Sequence, residues 1–223
     1  MEYTETLPGA VLEEEMRGIA FIGGEGPPPE ISGKLAGEAR IIAAADSGLM
    51  AAEEAGLRPD WITGDMDSLD TMARLEKYPP GRVIRHPRDK DYTDTELVLE
   101  LLWGCGCDEV WLIGGGGGRL AHLLAIRSLF EREKSPSRWI TAREDSFCLD
   151  SSSKEFIQPP RTVVSVFPLG NGPWKISSRG LKWPLGQVQW NRGFAGISNE
   201  TPQGRFDVSA SEGRFLVMLE CTP

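Results

Sequence analysis

Acidic residues collect in three loops that follow predicted strands, and their spacing suits a divalent cation. Asp46 follows the second apolar run of the chain, Asp65 and Asp67 follow the third, and Asp91 and Asp94 come after the fourth. Because ligands bind at the carboxyl ends of the strands of an open α/β sheet, we expect these carboxylates at one edge. Clustered carboxylates repel one another unless a cation neutralises them, and hard oxygen ligands suit Mg²⁺ bound together with substrate phosphates.

One of these acids has an equally good structural explanation. Asp94 stands at a predicted helix start, where the helix macrodipole favours a negative charge. Thr93 and Glu96 beside it have the spacing of a capping box. Three acidic loops on one predicted edge are harder to explain in this way, so the pattern as a whole favours a metal site.

A run of five glycines, 114–118, follows the fifth apolar run and leads into Arg119. Glycines let backbone N–H groups approach a ligand closely, and the helix predicted to begin near Arg119 presents its positive end to an anion. Arg119 would be the natural phosphate cation. A flexible turn is the alternative. His122, one turn into that helix, is as well explained by packing as by function.

Four familiar motifs do not account for these residues. No Gly-Lys-[Ser/Thr] follows the glycines, which excludes a Walker A loop, and their place after the fifth strand argues against a dinucleotide-binding fingerprint. Asp65 and Asp67 have the spacing of a haloacid-dehalogenase nucleophile pair, but they follow the third predicted strand, whereas that pair follows the first. The Gly-x-Ser-x-Gly elbow of a serine hydrolase is missing.

The elements that must position these residues fall into two parts. Continuous apolar runs alternate with helix-like stretches up to about residue 142, which predicts a mostly parallel, doubly wound α/β sheet. Beyond residue 151 short β-rich pieces predict a small antiparallel β-sandwich domain. We therefore expect an N-terminal extension at 1–17, an α/β catalytic domain at 18–145 and a β-rich domain at 146–223. The predicted strands are 19–22, 41–44, 61–62, 83–84, 110–113, 162–167, 174–177, 187–190 and 214–219.

Composition narrows the classes of function further. The net charge is −9, which argues against broad nucleic-acid binding because such binding relies on basic patches. No stretch approaches the ~18 consecutive apolar residues of a membrane span. The first residues carry acids instead of the basic and apolar regions of a signal peptide. The four cysteines lack zinc-ligand spacing, so we expect free thiols and a cytoplasmic protein.

Taken together, the motifs resemble those of the thiamine pyrophosphokinase family. The acidic segments 46–48, 59–68 and 89–94 match in order, and GDxDS followed by KDxTD is a specific combination. The segment 114–122, the GLKWPL segment 180–185 and the GISNE segment 196–200 complete a resemblance that covers nearly the whole chain from about residue 18.

The resemblance implies an ATP- and Mg²⁺-dependent enzyme that transfers diphosphate to thiamine, releases AMP and works as a homodimer whose interface forms the thiamine site. It assigns Asp65, Asp67 and Asp94 to Mg²⁺, with Asp91 and Asp46 as supporting acids, Asp91 near the metal and Asp46 toward the substrate. The groups that it implies for the ATP phosphates are Ser68, Lys90, Thr93, Gly116, Gly117, Gly118 and Arg119. Ser198 and Asn199 would hydrogen-bond the aminopyrimidine, and a β-domain tryptophan, Trp183 or Trp190, would stack on the cationic ligand.

The chain departs from the family pattern at one chemically important position. The family has Arg-x-Asp-His after the glycines, whereas Ala121 stands at the Asp position here. Alanine can neither coordinate a metal nor accept a hydrogen bond. Ala121 leaves open a catalytically impaired relative that binds thiamine. A diphosphokinase for another hydroxymethyl substrate, such as a hydroxymethylpterin, also stays open because related acidic motifs could serve a different alcohol. Met66 for Phe and Trp183 for Tyr are apolar exchanges of little consequence.

Overall fold

The computed structural model describes residues 15–67 and 72–221. Most of the predicted extension 1–17 and the predicted phosphate ligand Ser68 therefore lie outside the described residues. No helix within the described ranges is long and apolar enough to cross a bilayer. The α-helices are α1 (Pro29–Ala36), α2 (Gly48–Glu54), α3 (Asp94–Gly104) and α4 (Leu120–Leu129). The strands are β1 (Arg17–Phe21), β2 (Ile41–Ala45), β3 (Trp61–Gly64), β4 (Val83–Arg85), β5 (Glu109–Ile113), β6 (Arg138–Ile140), β7 (Glu144–Asp150), β8 (Ser153–Ile157), β9 (Thr162–Leu169), β10 (Lys175–Arg179), β11 (Gly196–Thr201), β12 (Arg205–Glu212) and β13 (Arg214–Glu220).

Six parallel strands form the first half of a ten-stranded sheet. Their spatial order is β6-β5-β1-β2-β3-β4, and each neighbouring pair is parallel. The five apolar runs predicted in this half are β1 to β5, so the parallel sheet is confirmed. The chain order reverses between β1 and β5, which is the kind of switch point where an α/β sheet opens a crevice.

Helices cover this half of the sheet on both faces, as the unbroken apolar strands require. On one face, Val98 and Leu99 of α3 and Ile126 of α4 pack with strand residues of β1, β2 and β5. On the other face, Leu49 and Ala52 of α2 pack with a separate set of residues from β1, β3 and β5. The doubly wound arrangement follows from these two cores.

The second half of the sheet is antiparallel and continues without a break. β7 pairs with β6 in the antiparallel sense, and the order then runs β7-β13-β9-β11. A separate three-stranded sheet, β10-β12-β8, packs on this half, and residues such as Phe156, Val166 and Phe215 fill the core between the two sheets. The predicted β-sandwich is confirmed, and β7 spans the predicted boundary at 145/146.

One predicted strand, 187–190, is wrong. Leu185–Gln187 forms a short 3₁₀ turn, and Val188 is extended but enters no sheet. Pro184 ahead of the turn and Gly186 within it favour a turn over a ladder. Trp190 then serves the core, where its ring meets Phe215 edge-on.

Candidate active site

Three carboxylates converge where β2, β3 and α3 meet. Oxygen atoms of Asp46, Asp65 and Asp94 all lie within 4.8 Å of one another. Asp46 is 9% exposed, and its Oδ1 is buried with no hydrogen-bond partner among the described residues. A buried carboxylate oxygen without a partner is costly unless a cation accompanies it. The donor set therefore fits a hard divalent cation.

The backbone at the ends of β2 and β3 creates this cluster. Asp46 has φ of 48°, in the left-handed region that non-glycine residues seldom adopt. Gly64 has φ of 146°, and a Cβ added there would lie 3.2 Å from Asp46 Cβ and 3.3 Å from Asp94 Oδ1. Glycine at position 64 thus allows the three acids to approach one another closely.

Lys90 partly neutralises the acidic cluster. Its Nζ lies 3.5 Å from Asp65 Oδ2 and 3.2 Å from Asp94 Oδ1. Burial alone would lower the pKa of Lys90, but these two carboxylates outweigh it and raise the pKa. The Asp67 N–H, which donates to Asp65 Oδ1 at 3.1 Å, and the Lys90 charge lower the pKa of Asp65.

The pKa of Asp94 is shifted in the opposite direction. Burial raises its pKa, with the neighbouring charges of Asp46 and Asp65 adding to the effect, and Lys90 only partly offsets it. A raised folded-state pKa means that the stability linked to Asp94 is full below its unfolded value and is lost as the pH rises through the folded value. Ionisation of Asp94 therefore opposes folding of the metal-free protein.

The upward shift of the Asp94 pKa predicts that Asp94→Asn stabilises the metal-free protein. In metal-free buffer at pH 7 the neutral amide removes the buried charge, and the melting temperature rises by about 2–4 °C. Below pH 4 the gain disappears. Mg²⁺ should raise the melting temperature of the wild type and leave the variant unchanged. A variant less stable than the wild type at pH 7 would contradict the account.

A glycine loop and a helix start face the acids. The N–H groups of Gly114, Gly115 and Gly116 donate to backbone carbonyls. Those of Gly117 and Gly118 have no acceptor within the described part of the chain, and both residues have φ near 65°. Together with the first N–H groups of α4 they form a site suited to a phosphate.

Asp46 and Asp94 of the cluster, Asp67, the glycine loop and the start of α4 line one cavity of about 550 Å³. Arg119, the residue before α4, and His122 in its first turn both contribute to the wall and are exposed. The cavity continues between α3 and α4 over Ile126 and Leu129. A volume of this size accommodates a nucleotide.

The structure groups the predicted ligands somewhat differently from the sequence analysis. Asp46, expected only as a supporting acid, is a full member of the cluster. Asp67 lines the cavity, and its Oδ2 lies 3.2 Å from Arg88 Nε. Thr93 lines the cavity and caps α3, accepting the Glu96 N–H. Asp91 is exposed and lies outside the three-acid group.

The residues predicted for the substrate in the β domain do not line this cavity. Ser198 and Trp183 are exposed, the latter by 54%. Asn199 is 5% exposed, and its side chain bonds the backbone of Trp183 at both ends, accepting from N at 3.2 Å and donating to O at 2.7 Å. Its amide thus holds the loop that carries Trp183.

Comparison with known proteins agrees with this geometry. The family described as thiamin pyrophosphokinase, catalytic domain, matches residues 33–140, and the thiamin pyrophosphokinase vitamin B1 binding domain matches residues 154–214. These matches contain the acids, the glycine loop and most of the β-sandwich. No curated protein sequence matches the chain.

Solved structures extend the likeness over nearly the whole chain. A thiamin pyrophosphokinase from Geobacillus thermodenitrificans is 25% identical, with a TM-score of 0.72, covering 93% of this chain and 98% of its own. The enzyme from Bacillus subtilis is 21% identical, with a TM-score of 0.76 and coverage of 92% and 100%. That from Candida albicans is 18% identical, with a TM-score of 0.71 and coverage of 94% and 90%.

The fold and the site define a two-part protein in which an α/β layer carries an acidic crevice with a glycine loop on its wall, and a β-sandwich continues its sheet. With both domain families matched in order, the chain belongs to the thiamine pyrophosphokinase family.

Proposed function

We propose that this chain transfers the β,γ-diphosphate of ATP to the hydroxyl of thiamine, giving thiamine diphosphate and AMP. The observation that carries the proposal is one cavity whose wall includes two carboxylates of the three-acid cluster, Asp46 and Asp94, together with a glycine loop and a helix N-terminus. A metal-binding group beside an anion-binding group is what a diphosphoryl transfer needs, and membership of the family supplies the substrate class.

Asp46, Asp65 and Asp94 would hold Mg²⁺, and Asp67 on the cavity wall is available as a further ligand. When bound, the ion neutralises charge on the phosphates as the transfer proceeds. The orphaned Asp46 Oδ1 and the close approach of the three acids are the features that fit the ion.

Groups on the cavity wall and a lysine beside the acidic cluster would position the ATP phosphates. Arg119 offers a planar fork of donors, the N–H groups of Gly117 and Gly118 are open to an acceptor, and Lys90 lies within reach of the acids that would face the metal. Transfers of this type depend mainly on positioning and on charge neutralisation. The thiamine hydroxyl would attack the β-phosphorus, and AMP would leave.

Thiamine would bind between two copies of the chain. Ser198 and Trp183, the predicted substrate groups, do not line the cavity of their own chain. They lie on or beside β11, which within the described part of the chain pairs with β9 alone and forms one edge of the ten-stranded sheet, close in sequence to the exposed Phe194 and Ile197. An unpaired edge with exposed apolar side chains is normally covered. A homodimer would cover it and bring these groups to the other chain's cavity.

Substrate comparison tests the proposal. Purified protein with Mg-ATP should release AMP when thiamine is added and release none above background with a hydroxymethylpterin. AMP release with the pterin but not with thiamine would identify the hydroxymethylpterin, instead of thiamine, as the substrate. Thiamine binding in equilibrium dialysis without AMP release would favour the impaired relative.

The variant Ala121→Asp tests whether the carboxylate that the family has at this position is needed for activity. Ala121 is exposed and is not part of the cavity wall, so the acid cluster is complete without a carboxylate there. We expect an active wild type and a change in kcat of less than about threefold in the variant, a barrier change below ~1 kcal/mol. A silent wild type with an active variant would show that the missing carboxylate is essential.

A further inference from the structure

His86 connects the end of β4 to the end of β3, beside the acidic cluster. β4 is only three residues long and forms the edge of the ten-stranded sheet opposite β11. It pairs with β3, and the last matched pair is Gly64 with Arg85. Just beyond this ladder, the His86 N–H donates to the Gly64 carbonyl at 2.9 Å. The connection therefore continues one residue past the regular strand.

The His86 ring makes a second connection, to the side chain of Thr63. Its Nε2 lies 3.0 Å from Thr63 Oγ1, and Thr63 is only 1% exposed. The carbonyl of the same threonine accepts the Asp46 N–H at 3.0 Å. Thr63 thus links His86 to the backbone of Asp46, whose left-handed conformation depends on its surroundings to be maintained.

The same two bonds fix the start of the segment that supplies cations to the acids. No helix or strand occurs between β4 and α3, which begins at Asp94. Within that segment Arg88 pairs with Asp67, and Lys90 pairs with Asp65 and Asp94. A shift at His86 would therefore disturb both the acid-bearing strand end and the chain that neutralises it.

We infer that His86 is a positioning residue for the cation site, acting through Thr63 and Gly64 to hold Asp46 and Asp65 at coordinating distance. The turnover measurement described below rests on the proposed function. The metal-binding measurement does not depend on that function. Residues that orient metal ligands typically contribute about 10–100-fold to metal affinity.

A double-mutant cycle with matched variants tests the inference. His86→Phe keeps the ring volume and removes Nε2, Thr63→Val keeps the shape and removes the hydroxyl, and the double variant removes both groups. His86→Gln places an amide nitrogen near the position of Nε2, whereas His86→Asn places it too near the backbone to reach Thr63. Mn²⁺ binding followed by electron paramagnetic resonance reports the site directly, and the Mg²⁺ concentration for half-maximal AMP release reports it in turnover.

We expect His86→Phe and Thr63→Val each to weaken Mn²⁺ binding about tenfold, and the double variant to be no weaker than either. His86→Gln should recover most of the affinity and His86→Asn should not. The Mg²⁺ requirement should rise in parallel, with kcat at saturating Mg²⁺ changed less than about threefold. Unchanged Mn²⁺ affinity, or additive losses in the double variant, would overturn the inference. If the wild type shows no thiamine-dependent turnover, the proposed function fails, and Mn²⁺ binding still decides the role of His86.

Discussion

Asp65→Asn lowers Mg²⁺-dependent AMP release by about 10³-fold while the fold is retained. The substitution removes one negative charge from three carboxylates whose oxygens lie within 4.8 Å of one another. Preorganised electrostatic groups at sites of charge transfer commonly contribute about 10²–10³ in rate, and loss of a metal ligand belongs at the upper end. Asn keeps an oxygen that can accept the Asp67 N–H, so the loop itself stays in place.

Asp91→Asn is the matched control for this prediction. It makes the same chemical change in a neighbouring acidic loop, but Asp91 is exposed and stands outside the three-acid group. We expect its activity within about twofold of the wild type. Titration of both variants with Mg²⁺, together with melting curves, checks the pair. Near-normal activity in Asp65→Asn, or equal losses in both variants, would show that the three-acid cluster is not part of the active site.

Arg119→Met lowers kcat/KM for Mg-ATP by about 10²-fold. Arg119 is exposed on the cavity wall at the start of α4, next to the open N–H groups of the glycine loop. Methionine keeps the length of the side chain and removes the phosphate-binding fork. Arg119→Lys restores the charge without the planar geometry, so we expect it to recover part of the loss.

Arg127→Met provides the comparison on the same helix. Its guanidinium pairs with Glu131 and does not line the cavity. We expect lower stability, since Arg127 also donates to the Pro168 carbonyl, with KM for ATP unchanged. Steady-state kinetics at fixed thiamine measures both variants. An unchanged KM and kcat in Arg119→Met would show that the phosphates bind elsewhere.

Local sequence signals located five of the six parallel strands, β1 to β5, and missed the three-residue β6. The central strands of that half are buried on both faces, which produces the unbroken apolar runs of β1 and β5. In the β-sandwich, β8 buries only Phe156, and β12 alternates short polar residues with Phe206, Val208 and Ala210. The sequence analysis missed both, together with β7 and β11, because strands with few apolar residues depend on their partner strands for their definition.

The composition of the candidate site could be predicted, but the arrangement of its members could not. The strand-end rule brought the acidic loops to one edge, yet it could not rank Asp46 above Asp91. That ranking depends on the left-handed backbone at Asp46 and on the closeness of Gly64 to Asp94. The amide of Asn199 is a similar case, since its bonds to the Trp183 backbone arise from tertiary contact.

The most direct test of the proposed reaction follows the phosphate itself. ATP labelled in its β-phosphate is incubated with the wild-type protein, Mg²⁺ and thiamine, and the products are separated by ion-exchange chromatography. We predict label in thiamine diphosphate and an equal amount of unlabelled AMP, because the β,γ-diphosphate moves as one unit. Label retained in ADP, or label transferred to no product of thiamine, would contradict the proposed function.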